Sequence, residues 1–363
     1  MVDITAPFRL KTVRNYALTG PENARAVRSG LANAAWYQTP VDRKLMKELM
    51  KRSDGPALRN TALWLGLLVG AGVLGVLTWG TWWALPVFIV YGVLYGSAAD
   101  ARWHEMGHGT AFKTRWMNDA VYEFAAFLMM RNSVAWRWSH ARHHTDTIIV
   151  GRDPEVGLMR PPQLILLVLN TIGVTSVPTS LQALVRQAMG RLTPDEQEYL
   201  PASERPRAIT VARIHVGIYV ATLAACLWLG SILPAMLIGL PRGYGVWLLV
   251  FYGLPQHAGL AEDVLDHRLN SRTVLISAPL RFLYMNMNYH VEHHMYPMVP
   301  YHALPRLHAA VKHDCPPPEP NLWYTWRRIV PTLLRQLRDP AYCMVKELPP
   351  GAGRLPPMNA AAR

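Results

Sequence analysis

Between Thr61 and Ala99 the chain carries no charged residue. A helix crosses the hydrocarbon core of a bilayer with about 20 apolar residues, so this run is long enough to cross twice. Gly80-Thr81 lies near its middle, flanked by Trp79, Trp82 and Trp83. Tryptophan collects where a span meets the membrane surface, and the pattern predicts a helical hairpin turning at that point. Two more uncharged runs cover Ile214 to Pro241 and Gly243 to Ala261, with Pro241-Arg242-Gly243 as the expected turn between them. Leu164 to Val177 is apolar but short, with Pro161, Pro162 and Pro178 around it. It is expected to lie at the interface or dip into it. The expected fold is all-α and integral to a membrane, with four transmembrane helices in two hairpins and a helical cytoplasmic cap.

Lysine and arginine set the orientation of such a chain. Eleven lie between Met1 and Asn60, others between Asp100 and Arg213 and after Asp266, whereas the two expected outer turns hold only Arg242. Both termini are therefore expected on the cytoplasmic side of the cell's inner membrane. The expected organisation is a cytoplasmic N-terminal segment over 1–60, a membrane domain over 61–297, and a cytoplasmic C-terminal segment over 298–363. The end of that segment, from Pro349, is expected to be disordered. No short apolar segment with a cleavage site comes after Met1, so no signal peptide is expected. The net charge of +13, set beside membrane spans, fits anionic lipid and an acidic protein partner better than nucleic acid. Cys226, Cys315 and Cys343 form no CxxC pair, which argues against thiolate metal sites and a disulfide framework. Gly66-x-x-x-Gly70 and Gly92-x-x-x-Gly96 let helices approach closely and are expected to serve span packing.

Eight of the fourteen histidines stand in three tight clusters. His104 and His108 are spaced i, i+4. His140, His143 and His144 are spaced i, i+3, i+4, as are His290, His293 and His294. On a helix such residues share one face and can point at the same ion, and a neutral imidazole is the commonest protein metal ligand. Three clusters offer more nitrogens than one ion can use, so two metal ions are expected at the membrane surface. Taken alone, His104-Glu105-Met106-Gly107-His108 fits the helical zinc-protease pattern with Glu105 as general base. A protease of that kind would have no use for the other two clusters. Imidazole ligation by itself suits zinc, copper, iron or nickel.

His-x-x-x-His and then two His-x-x-His-His clusters over two helical hairpins resemble the integral-membrane fatty acid desaturase and hydroxylase superfamily. The resemblance covers roughly Thr61 to Pro297. Asn288-Tyr289-His290-Val291-Glu292-His293-His294 is similar to the third box of that family, and His104-Glu105-Met106-Gly107-His108-Gly109 to its first. The resemblance implies two iron ions, dioxygen as co-substrate, and desaturation or hydroxylation of an unactivated C–H bond. It implies His104, His108, His140, His143, His144, His290, His293 and His294 as ligands. A ninth histidine near the cytoplasmic end of the last span is typical of the family. His257 stands there, with His267 as its rival.

Glu105 is expected to support the site by orienting an imidazole, because histidines already supply enough ligands. Asp146, Asp153, Glu262, Asp263, Asp266 and Glu292 are further candidates for that work, since metal-bound histidines usually donate their second N–H. His215 is expected at a membrane interface, and His302, His308 and His313 on the surface. No iron–sulfur cysteine set or dinucleotide motif is visible, so electrons are expected from an external donor, such as a ferredoxin with its reductase. Membrane lipid is the other expected partner. The substrate is expected to be a lipid acyl chain. The alternatives are a small methylated molecule, suggested by the segment Thr145 to Glu155, and proteolysis by zinc at the first cluster.

Overall fold

The computed structural model describes residues 14–355. Among them the secondary structure is helical throughout, with two isolated β-bridges and no strand. Three helices are long and apolar enough to cross a membrane: Arg43–Leu77, Ala84–Gly107 and Ala202–Leu229. A fourth is reached only if Leu164–Ile172 and Ser176–Ala188, bent by 78°, form one broken span.

The first hairpin forms where the uncharged run and its tryptophans predict it. Pro56 stands in the first turn of Asp54–Leu77, where its missing N–H costs nothing. Only 22% of the apolar stretch of this helix is buried, against 61% for Ala84–Gly107. A helix that is apolar all round and bare on most of its surface is a lipid-facing helix. Gly80 takes the turn at φ +83°, and Trp82 and Trp83 are exposed there.

The second hairpin differs from expectation. The Arg205–Leu229 helix ends at Gly230, whose left-handed φ of +55° closes it. Beyond Gly230 the chain breaks into short helical pieces, Leu233–Leu237, Pro241–Tyr244, Trp247–Gly253 and Leu254–Gln256. The expected fourth span over 243–261 is thus not a continuous helix. Pro234, Pro241 and Pro255 each lack the N–H that would carry a helix onward. Arg242, expected on an outer turn, is buried, and its Nε donates to the Met129 carbonyl.

These pieces pack against the second span with no room to spare. A Cβ on Gly245 would lie 1.9 Å from the Gly92 carbonyl oxygen. Next to this contact the span widens into a π-helical turn, Val93–Ser97. Ser97 Oγ donates to the Gly245 carbonyl and accepts from Leu249 N–H, and the Tyr252 hydroxyl donates to the Ser97 carbonyl. Partners from outside the helix thus meet the backbone that the bulge frees. Gly92 and Gly96 therefore serve packing, whereas nothing lies within 4 Å of a Cβ at Gly66 or Gly70.

The helices that carry the histidine clusters form a cap at one end of this bundle. Arg115–Leu128 packs against the end of the second span, and Ser133–Thr145 comes next, its start capped by the Asn132 side chain. The N-terminal segment is tied down by Tyr16 and Arg14, which donate to Glu262. The C-terminal helix Leu322–Gln336 buries Ile329 and Leu333 and exposes Trp323 and Leu334. The tail expected from Pro349 is held at Gly353, which donates to Asp314 and accepts from Arg268. Residues 356–363 lie outside the described residues. His215 is buried in the middle of its helix and packs edge-on against Phe127, rather than at an interface.

Candidate metal centre

His104 and His108 end the second span. His140, His143 and His144 lie on the Ser133–Thr145 helix, and His290, His293 and His294 on the short helix His290–Met295. His257 comes directly after the turn at Leu254–Gln256, where Pro255 ends the preceding helix. All nine nitrogen donors converge under the cap in two groups. One comprises His104, His108, His140, His144 and His293; the other comprises His143, His257, His290 and His294. Within each group one nitrogen per residue lies within 4.8 Å of all the others. Two imidazoles bound to one ion at about 2 Å have nitrogens at most about 4 Å apart, so little closure is needed.

The second and third clusters each split between the groups. At 100° per residue, i+4 lies about 40° to one side of i and i+3 about 60° to the other. His140 and His144 thus face one group while His143 faces the second. His290 and His294 face the second while His293 crosses to the first.

The hydrogen bonds at the back of the rings fix what the front can do. His257 Nδ1 lies 2.8 Å from the Asn270 carbonyl. A carbonyl only accepts, so Nδ1 holds the proton and Nε2 a lone pair. His140 Nδ1 donates to Glu155 at 2.9 Å and His143 Nδ1 to Asp153 at 2.9 Å. Thr147 gives its hydroxyl proton to the His143 carbonyl, which leaves its oxygen to accept from His294 Nδ1. The front nitrogens then face one another. His290 Nε2 is 2.9 Å from His257 Nε2 and 3.0 Å from His294 Nε2, both bare. One proton on His290 cannot serve both. His140 Nε2, also bare, lies 3.1 Å from His108 and 3.2 Å from His144. Buried lone pairs turned on each other are costly, and a cation is the partner this donor set requires.

Burial holds His144, His257, His290, His293 and His294 well below the usual histidine range, and neighbouring histidines add to the effect. They are neutral at pH 7, the form that binds a metal. Burial also pulls on His143, but the Asp153 carboxylate outweighs it and raises the pKa. Burial would lift Glu155, yet its contact with His140 holds it at about 2. Glu155 therefore stays ionised as the proton acceptor for the His140 ring.

Over residues 80–326, more than half of its length, the chain matches the fatty acid desaturase family. It belongs to that family. It is also similar to the sn-1 oleoyl-lipid 12-desaturase of Synechocystis sp., 28% identical over a stretch that is 30% of this chain and 30% of that relative. Membership, with the apolar helices, makes it a membrane protein.

Among the carboxylates expected to orient imidazoles in this family member, Asp153 alone bonds a histidine of the two groups. Glu292 accepts from His308, which lies outside them and is half-buried rather than on the surface. Asp146, Glu262, Asp263 and Asp266 pair with arginines. Glu105 touches no imidazole, contrary to its expected role; it accepts from the Thr110 hydroxyl and the Tyr301 N–H. At 100° per residue it stands about 100° round the helix from His104 and about 60° from His108, and its bonds to Thr110 and Tyr301, not the helix turn, keep it off the rings. Glu155 was missed, as were Thr147 and the Asn270 carbonyl. The position of Glu155 15 residues after His140 gives no periodic signal, and a backbone carbonyl gives none at all. His267 belongs to neither group. It is buried against Trp36, the rings stacked at 4.2 Å.

Proposed function

We propose that this family member holds two iron ions and uses dioxygen to desaturate or hydroxylate an unactivated C–H bond. The observation that carries this reading is the pair of imidazole groups whose bare nitrogens face each other. His104, His108, His140, His144 and His293 would hold one ion, and His143, His257, His290 and His294 the other. Bound iron would supply reductive activation of dioxygen. The protein's own part is to keep the ligands neutral by burial, to fix their tautomers through Glu155, Asp153, Asn270 and Thr147, and to shut bulk water out of the centre.

A lipid acyl chain is the first substrate class, in keeping with the family and with the activity for which the Synechocystis relative is named. A small molecule is the second, favoured by the charged side chains of Asp100, Arg131 and Arg242 in the wall of the cavity beside His257. Zinc proteolysis is disfavoured, because Glu105 is engaged by Thr110 and Tyr301 rather than turned to the imidazoles. Electrons would come from a ferredoxin or another external donor docking on a basic cytoplasmic face. The centre and both termini would lie on the cytoplasmic side of the inner membrane.

Anaerobically purified protein should contain close to two irons per chain. With a ferredoxin and its reductase it should consume dioxygen when given substrate. One zinc and no iron would sink the reading.

A further inference from the structure

A cavity of about 440 Å³ has His257 in its wall and reaches Asp100, Arg131 and Arg242. Ser176 and Thr179 stand in the same wall, together with Leu249, Val250 and Leu254. Arg242 is only 6% exposed. Its Nε donates to the Met129 carbonyl at 3.1 Å. Among the described residues its two terminal nitrogens have no protein partner, and neither is sealed off from the cavity. Asp100 and Arg131 are its charged neighbours. Asp100 is already taken, since Arg131 Nη1 lies 2.7 Å from its Oδ1. The Arg131 guanidinium is fixed between the Trp103 and Trp136 rings, at 4.4 and 4.3 Å. Glu155, in the same wall, also faces Arg131, and Arg160 pairs with Glu262, so the unmet need is not charge but acceptors for the Arg242 fork. Buried N–H donors left without an acceptor are costly, and a fork of free N–H donors matches a carboxylate.

The place of this charge limits the length of what binds. Asp100 and His104 stand four residues apart on one helix, a rise of about 6 Å. The anion-binding end therefore lies about one helical turn from a histidine of the first group.

We propose that Arg242, with Arg131 beside it, binds the carboxylate of the substrate, and that the substrate is a short organic acid whose reacting carbon lies near that carboxylate. An acyl chain oxidised far from its headgroup would instead need more than one helical turn between the anion-binding end and the centre. That the acid is oxidised rests on the di-iron reading above; that a carboxylate binds does not.

The test is calorimetric binding of hexanoate, methyl hexanoate and palmitate to the full chain in uncharged detergent, with iron content measured on each sample. Wild type should bind hexanoate and bind the methyl ester at least about tenfold more weakly, the loss expected for a charge-assisted hydrogen bond. Arg242→Gln should lose about the same factor for hexanoate, and Arg242→Lys, which keeps the charge but not the fork, should fall between wild type and Arg242→Gln. Equal binding of acid and ester by wild type, or unchanged hexanoate binding by Arg242→Gln, would overturn the carboxylate site. So would no hexanoate binding at all. Tighter binding of palmitate than of hexanoate would overturn the short reach. If Arg242→Gln does not fold, the acid–ester comparison on wild type and the Arg242→Lys variant still decide. Hexanoate binding by a protein that holds no iron would uphold the site and sink the di-iron reading.

Discussion

Asp153→Asn removes one charge and almost no volume, yet it should damage the second group of imidazoles. Asp153 Oδ1 accepts from Glu155 N–H at 2.7 Å, and Oδ2 accepts from Ile148 N–H at 2.7 Å. Both oxygens also face His143 Nδ1, at 3.0 and 2.9 Å. An asparagine must put its NH2 where one of these oxygens was. Either orientation sets that NH2 against a backbone N–H, so a buried donor loses its partner at a cost of about 1–3 kcal/mol. The amide oxygen still accepts from one backbone N–H, but the charge that held the proton on His143 Nδ1 is gone. The imidazole is then free to carry its proton on Nε2, which removes the lone pair from the metal side. Such changes behind a ligand cost about 10–100-fold in metal affinity or activity, or about 1.4–2.8 kcal/mol. Chelator competition on iron-loaded protein reads this directly, with one of two irons leaving early. Asp146→Asn is the control. Asp146 is as deeply buried but pairs with Arg142 and Arg152, so it should lower stability and leave both irons in place. Wild-type iron affinity in Asp153→Asn would refute the account of the ring tautomers.

Glu155→Gln should weaken the first group in the same way, again by about 10–100-fold, seen as early loss of the other iron. His257→Ala should cost one iron, whereas His267→Ala should cost none and lower the melting temperature through loss of its stack on Trp36; elemental analysis and a thermal scan separate the two. Glu105→Gln should keep both irons, because the isosteric amide still accepts from Thr110 and Tyr301 through its oxygen; loss of an iron would restore Glu105 to the centre. Gly245→Ala should prevent folding or lower stability by more than about 2 kcal/mol, since the methyl would overlap the Gly92 carbonyl, and yield in detergent checks it.

The clusters were legible because ligand geometry on a helix is local. Spacings of three and four residues place imidazoles on one face whatever the rest of the chain does. His257 was legible for a related reason, as Pro255 ends a helix just before it. The second hairpin was misjudged because absence of charge records only what a segment avoids. Pro234, Pro241 and Pro255 were visible, but the contact of Gly245 with Gly92 depends on residues 153 positions apart, which no local pattern reports. The same limit hid Glu155, whose role exists only once a loop folds back onto His140. It also hid the burial of Arg242, which in sequence looks like the charged residue of an outer turn.

The crossing of His143 and His293 bears on how such a centre is assembled. If each cluster served its own ion, a metal could bind one folded helix and leave the rest of the cap free. Here the first group needs the second span, the Ser133–Thr145 helix and the His290–Met295 helix together, and the second group needs the last two of these and the chain at His257. Each ion would therefore close loops of more than a hundred residues, and neither group is complete until both helices have docked. Metal affinity and stability of the cap then become one quantity, because an ion that binds only the folded arrangement stabilises it by mass action. Between ions, the facing lone pairs push the same helices apart. The carboxylates and carbonyls behind the rings hold them against that repulsion, which is why Asp153 and Glu155 govern the centre without touching an ion.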